Sequence, residues 1–159
     1  MKCSAAIAIA LAVTVLFAAG EAAACSPLRK SPEEWEAFYA ESRAKLIAAS
    51  RLVYWAQLDA VEDGRNYPRY TVGKGETLYG YYPPESLQSP DRLIGACGPS
   101  PRYLIESVNP NNSVGANVLV FLGTTPGGGL EIIEIAPEGL PLTNTLLEML
   151  QPKIYSQNH

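Results

Sequence analysis

The first apolar pattern in this chain is an uncharged run over residues 7–18, set behind Lys2. From residue 35 the spacing turns helical. Trp35, Phe38, Tyr39, Ser42, Leu46 and Ala49 share one face, and Glu33, Glu36, Glu41, Arg43 and Lys45 lie mostly off it. Ser31-Pro32-Glu33-Glu34 is a helix start: Ser31 can cap, Pro32 suits the first helical position, and Glu34 closes a capping box. The pattern predicts an amphipathic helix over 32–49, packed on a sheet through its aromatics. Residues 52–58 are β-branched and aromatic and predict a strand, ended by the polar turn 59–64. A second strand begins at 70–72, is broken or bulged by Gly73-Lys74-Gly75, and resumes over 76–82 until Pro83-Pro84 stops it.

Beyond Pro84 the pattern weakens. Residues 85–100 are turn-rich, with Pro90, Gly95, Gly98 and Pro99 around Cys97. Residues 102–108 read as a strand, and the continuous apolar run 118–122 as a central buried one. A glycine-rich hairpin loop over 124–129 leads to a strand at 130–136, with Leu130, Ile132 and Glu134 on one face and Glu131, Ile133 and Ile135 on the other. Leu142, Leu146, Met149 and Leu150 fall at helical spacing, so a short closing helix is expected over 142–151, stopped by Pro152. The whole predicts an α+β, β-rich domain: five or six strands, one helix before them and one after, with no repeat, linker or second domain.

The N-terminal run changes where this domain is expected. Lys2, the apolar stretch, and Ala22 and Ala24 at the small-residue positions of an A-x-A site are the three parts of a secretory signal over 1–24. The run falls short of the about 20 residues that a membrane span needs; an uncleaved anchor is the alternative. Cleavage leaves residues 25–159 as a single secreted or periplasmic domain that begins at Cys25. No later stretch is apolar enough to span a membrane. The chain carries 12 basic and 16 acidic residues, a net charge of −4, with the basic ones scattered. That balance argues against nucleic acid as a partner, whose binding is driven by neutralising phosphates, and against docking to anionic lipid by charge.

Cys3 would leave with the signal, so Cys25 and Cys97 remain as an even pair in an oxidising compartment. A disulfide between them would close a long loop and stabilise by roughly 4 kcal/mol on the chain-entropy argument. Cys25 also sits where a lipoprotein carries its lipid anchor, although Ala22 stands where that pattern usually has Leu. Two free thiols are the third reading.

The inventory of reactive groups is short. The only histidine is His159, which removes the common general base, Ser-His and Cys-His pairs and histidine metal sites. Gly73-Lys74-Gly75 lacks the spacing of a phosphate loop, and Asp59, Glu62 and Asp63 lack the alternation of a calcium loop. Glu131 and Glu134 are expected on opposite strand faces, so they do not pair as acid and base. The expectation is no enzyme, no cofactor, no metal and no catalytic residue. Tyr67, Tyr70, Tyr79, Tyr81 and Tyr82 crowd one region between Pro and Gly. Tyr79, Tyr81 and Tyr82 form the candidate binding surface for carbohydrate or protein, since tyrosine couples a large contact area to a polar tip; packing in strands and loops is the competing reading.

Three features occur together: Cys25 directly behind the signal, Ala96-Cys97-Gly98 in mid-chain, and Asn117-Val118-Leu119-Val120-Phe121-Leu122-Gly123 followed by a glycine-rich turn and Leu130-Glu131-Ile132-Ile133-Glu134-Ile135. In this combination the chain resembles the netrin-like modules, which include the tissue inhibitors of metalloproteinases and similar bacterial secreted proteins. The resemblance implies an OB-like five-stranded barrel with flanking helices and places Cys25 and Cys97 as the paired cysteines. It also implies a possible partner, a zinc metalloprotease, whose zinc would be chelated by the amine and carbonyl of Cys25 while Ser26 enters the active-site mouth. The inhibitors begin Cys-x-Cys, whereas this chain has Cys25-Ser26-Pro27.

Overall fold

A computed structural model describes residues 31–64, 67–91, 94–95, 98–99, 103–108 and 113–157. Cys25, Ser26 and Cys97, and with them the disulfide, lipid and zinc-chelation readings, lie outside the described residues.

Helix α1 spans Pro32–Ala49 and opens with the expected capping box: Glu34 N–H donates to Ser31 Oγ, and Ser31 N–H donates to the Glu34 carboxylate. Strand β1 (Leu52–Glu62) follows, then β2 (Arg69–Gly73), β3 (Glu76–Tyr79), β4 (Ser86–Gln88), the short pair β5 (Ile94–Gly95) and β6 (Gly98–Pro99), a 3-10 turn at Leu104–Ser107, β7 (Asn117–Thr124), β8 (Leu130–Pro137) and helix α2 (Pro141–Gln157). Among the described residues six strands form one antiparallel sheet in the order β4-β2-β1-β7-β8, with β3 also paired to β1. β1 organises it. One edge pairs with β7 from Leu52 to Gln57; the other pairs first with β3 and then with β2, with a register shift inside each of these two pairings.

Both faces of the central strands are buried, which is why 118–122 reads as an unbroken apolar run. One face gathers Tyr54, Leu58, Tyr70, Val72, Val118, Val120, Ile132 and Ile135 beneath Tyr103 and Ile105. The other gathers Val53, Leu119, Phe121 and Ala136 beneath Ile47 of α1 and Leu146 and Leu150 of α2.

Several expectations are corrected. Among the described residues the sheet does not close into the expected five-stranded barrel: β4 and β8, at its two ends, approach each other without pairing. The strand at 52–58 runs on to Glu62, because Asp59 and Glu62 project to solvent while Val61 packs inward. The strand expected over 102–108 is the 3-10 turn, held by Tyr103 O–H donating to Ile132 O and Leu104 N–H donating to Glu134 Oε1. In β8, Phe121 pairs with Glu134 but Leu122 pairs with Ile132, so Ile133 is a bulge. The bulge breaks the alternation and puts Ile132 and Ile135 in the same core. The closing helix is long rather than short, and Pro152 lies inside it. Its ring faces solvent, and anchors beyond it at Lys153 and Gln157 hold the final turn.

α1 has the expected bounds but not the expected packing. Trp35, Phe38 and Tyr39 are 41%, 43% and 53% exposed. They stack on one another, Trp35 on Tyr39 at 5.7 Å and edge-on to Phe38 at 5.8 Å, while only Ile47 in the last turn is buried against the sheet. α2 already covers the face that the aromatics were expected to fill.

Candidate functional site

The last turn of α2 meets the turn after β3. Lys153 and Gln157 are one helical turn apart and face the same way. Lys153 Nζ donates to the carbonyls of Ile47 at 2.6 Å and Ser50 at 3.1 Å, closing the C-terminus of α1, and stands 5.0 Å from the centre of the Tyr79 ring. Burial, and then the positive charge of Arg51, hold this ammonium below its ordinary pKa. Gln157 grips the backbone of Gly80 from both sides: Gly80 N–H donates to its Oε1 at 2.8 Å, and its Nε2 donates to Gly80 O at 2.9 Å.

Gly80 is required where it stands. Its φ is +92°, and a Cβ would lie 2.5 Å from the Arg51 carbonyl oxygen. Thr77 Oγ1 donates to Tyr81 O at 3.2 Å, and Pro83 is buried. Tyr81 and Tyr82 therefore project between a twice-bonded glycine and a buried proline, 86% and 93% exposed. A shallow pocket of about 260 Å³ lies against them, lined by Thr77, Gly80, Tyr81 and Tyr82. The three tyrosines named from the sequence thus separate. Tyr79 is half-buried under Lys153, whereas Tyr81 and Tyr82 stand in solvent. Sequence reasoning missed Gln157, Lys153 and Arg51, which meet this turn from 77 residues away in the case of Gln157 and from the start of β1 in the case of Arg51.

A larger open groove of about 610 Å³ runs along the Gly73-Lys74-Gly75 break. The break has a steric cause: a Cβ on Gly75 would be 1.6 Å from the Trp55 carbonyl oxygen, so only glycine lets the chain pass β1 there. Asp59, Glu76, Glu85 and Glu138 line the groove with Lys74 and Asn117. Lys74 pairs with Glu85 at 2.9 Å, which raises the lysine pKa through the hydrogen bond first and the charge second, and Asn117 Nδ2 donates to Glu138 at 3.0 Å. Its walls are solvated charge, and among the described residues no group of three His, Cys, Asp or Glu is placed to hold a metal ion. Glu134 is committed to the backbone of Leu104 and to its own strand.

Among the described residues no helix is long and apolar enough to cross a membrane. No protein-family model, no curated protein and no solved structure matches the chain.

Proposed function

We propose that this chain is an exported, non-catalytic binding module that holds its ligand on the Tyr81–Tyr82 tip. The observation that carries the reading is the display of two almost fully exposed tyrosines on a backbone clamped by Gln157 and buried at Pro83. Exposed aromatics on a mobile loop would lose conformational freedom on binding; on a clamped one most of that cost is already met during folding. Tyrosine adds contact area with only two side-chain torsions to freeze. Export rests on the signal pattern of residues 1–24, and the absence of chemistry on a chain whose only histidine is His159. The long β1, which pairs with β7 along its first half and with β2 along its second, supports reading the domain as an open relative of the OB-type wall of netrin-like modules.

The test is co-sedimentation with insoluble envelope and extracellular material of the producing cell. The mature protein is expected in the pellet and the Tyr81→Ala/Tyr82→Ala variant in the supernatant. Equal pelleting of both contradicts the reading. Mass spectrometry of the exported protein should find an N-terminus at Cys25; retention in the cytoplasm with Met1 intact contradicts export.

A further inference from the structure

The first turns of α1 present an exposed aromatic ridge. We propose that this ridge pairs with the same ridge of a second copy of the chain. The two α1 helices would run antiparallel across a two-fold axis at the level of Tyr39. The proposal does not rest on the tyrosine tip.

The helix is long for what it buries. Every residue from Pro32 to Ser42 is exposed, and Ile47 in the last turn is its buried residue. A lone helix of this length is marginal in water. The capping box and the exposed Glu41–Lys45 pair give only local support. Trp35, Phe38 and Tyr39 stack into a ridge that Ser42 and Leu46 continue at helical spacing.

Charge selects the occupant. Glu33, Glu34, Glu36 and Glu41 lie in the first part of α1, and Arg43 and Lys45 in the last. A parallel partner helix of the same sequence would set carboxylates against carboxylates. An antiparallel one sets each acidic part beside a basic part, and a two-fold axis supplies that arrangement from one sequence. An apolar lipid interior suits the ridge less, because Glu33, Glu34 and Glu36 share its turns and must stay hydrated.

Glu36 and Arg43 fix the register. They lie on one flank of the ridge, two turns and about 10.5 Å apart along the axis, too far to pair on one helix. Neither makes an ion pair among the described residues. With the axis at Tyr39, Glu36 of each copy falls opposite Arg43 of the other. The same register brings Trp35 of one copy between Ser42 and Leu46 of the other, where the small serine leaves room for the indole. The three aromatics are 41%, 43% and 53% exposed. At about 200 Å² for each such side chain, they offer roughly 300 Å² per copy. That is about half of what each partner brings to a small stable interface. The dimer is therefore a weak one, with a Kd on the order of 10–100 μM.

Analytical ultracentrifugation of the protein from about 5 μM to about 1 mM tests this. A reversible monomer–dimer equilibrium is expected. Trp35→Ala/Phe38→Ala/Tyr39→Ala should weaken it about a hundredfold or more. Glu36→Arg and Arg43→Glu alone should each weaken it about tenfold. Their combination should return the Kd to within about threefold of the parent, since every facing pair is again of opposite charge. Unchanged far-UV circular dichroism at low concentration confirms that the variants fold. The parent protein gives an independent reading: its amide shifts should move with concentration over residues 35–46.

A monomer throughout overturns the proposal and leaves the ridge to another segment of its own chain or to a different partner. A dimer that ignores the triple substitution overturns the ridge as its interface. A dimer whose charge-exchanged form is as weak as the single variants overturns the antiparallel register. Concentration-dependent shifts that avoid residues 35–46 overturn the proposal without any substitution.

Discussion

Replacing Tyr54 with phenylalanine should make this protein more stable. Tyr54 is fully buried near the start of β1, and its hydroxyl has no hydrogen-bond partner among the described residues. Taking a hydroxyl out of water without a partner costs about 1–3 kcal/mol. Removing the oxygen leaves a void of roughly 10 Å³, worth about 0.3 kcal/mol of lost packing. Tyr54→Phe should therefore gain about 1 kcal/mol, or roughly 4 °C in melting temperature for a domain of this size. The pH dependence gives a second reading of the same hydroxyl. Burial pushes its pKa up to about 12. An unfolded tyrosine ionises near 10, so the unfolded chain releases this proton first. The contribution of Tyr54 is whole below pH 10 and is lost as pH rises through 12, by about 2–3 kcal/mol in all. Urea unfolding of both proteins, followed by circular dichroism, measures both effects. The advantage of Tyr54→Phe should be about 1 kcal/mol at neutral pH and should widen above pH 10. A variant that loses more than about 0.5 kcal/mol would show that the hydroxyl is satisfied and that the reasoning fails.

Lys153→Met keeps the side-chain stem but removes the donor that closes α1; we expect a loss of about 2 kcal/mol, with faster amide exchange over residues 47–51. Gly80→Ala must force a residue with a Cβ into φ +92° against the Arg51 carbonyl, and should cost more than about 1 kcal/mol in urea unfolding. Ser31→Ala removes a cap ordinarily worth about 1 kcal/mol. Because the first turns of α1 bury almost nothing, it should speed amide exchange at residues 32–38 while leaving the global melting temperature nearly unchanged.

What could be read from the sequence was whatever depended on neighbours along the chain. The capping box at Ser31 and Glu34, the β-branched stretch of β1, the double-buried run of β7 and the glycine break between β2 and β3 each carry their cause within a few residues. What could not be read depended on distant partners. Trp35, Phe38 and Tyr39 have a core-like spacing, yet the sheet face is taken by Leu146 and Leu150 of α2. Pro152 is an ordinary helix stop unless Lys153 and Gln157 have carbonyls to bind. The Ile133 bulge shows only when Glu134 is seen reaching Leu104. The tyrosines make the same point within the candidate site. Composition marks Tyr70, Tyr79, Tyr81 and Tyr82 alike, but Tyr70 is core, Tyr79 underlies Lys153, and only Tyr81 and Tyr82 reach solvent.

The most direct test of the central claim is where a ligand touches the protein. Amide chemical shifts of the labelled chain should be followed while solubilised envelope material is added. Shifts should concentrate at Thr77 and residues 80–82 and be absent from Tyr81→Ala/Tyr82→Ala. Shifts centred instead on Asp59, Lys74, Glu85 and Glu138 would place binding in the groove and contradict the account.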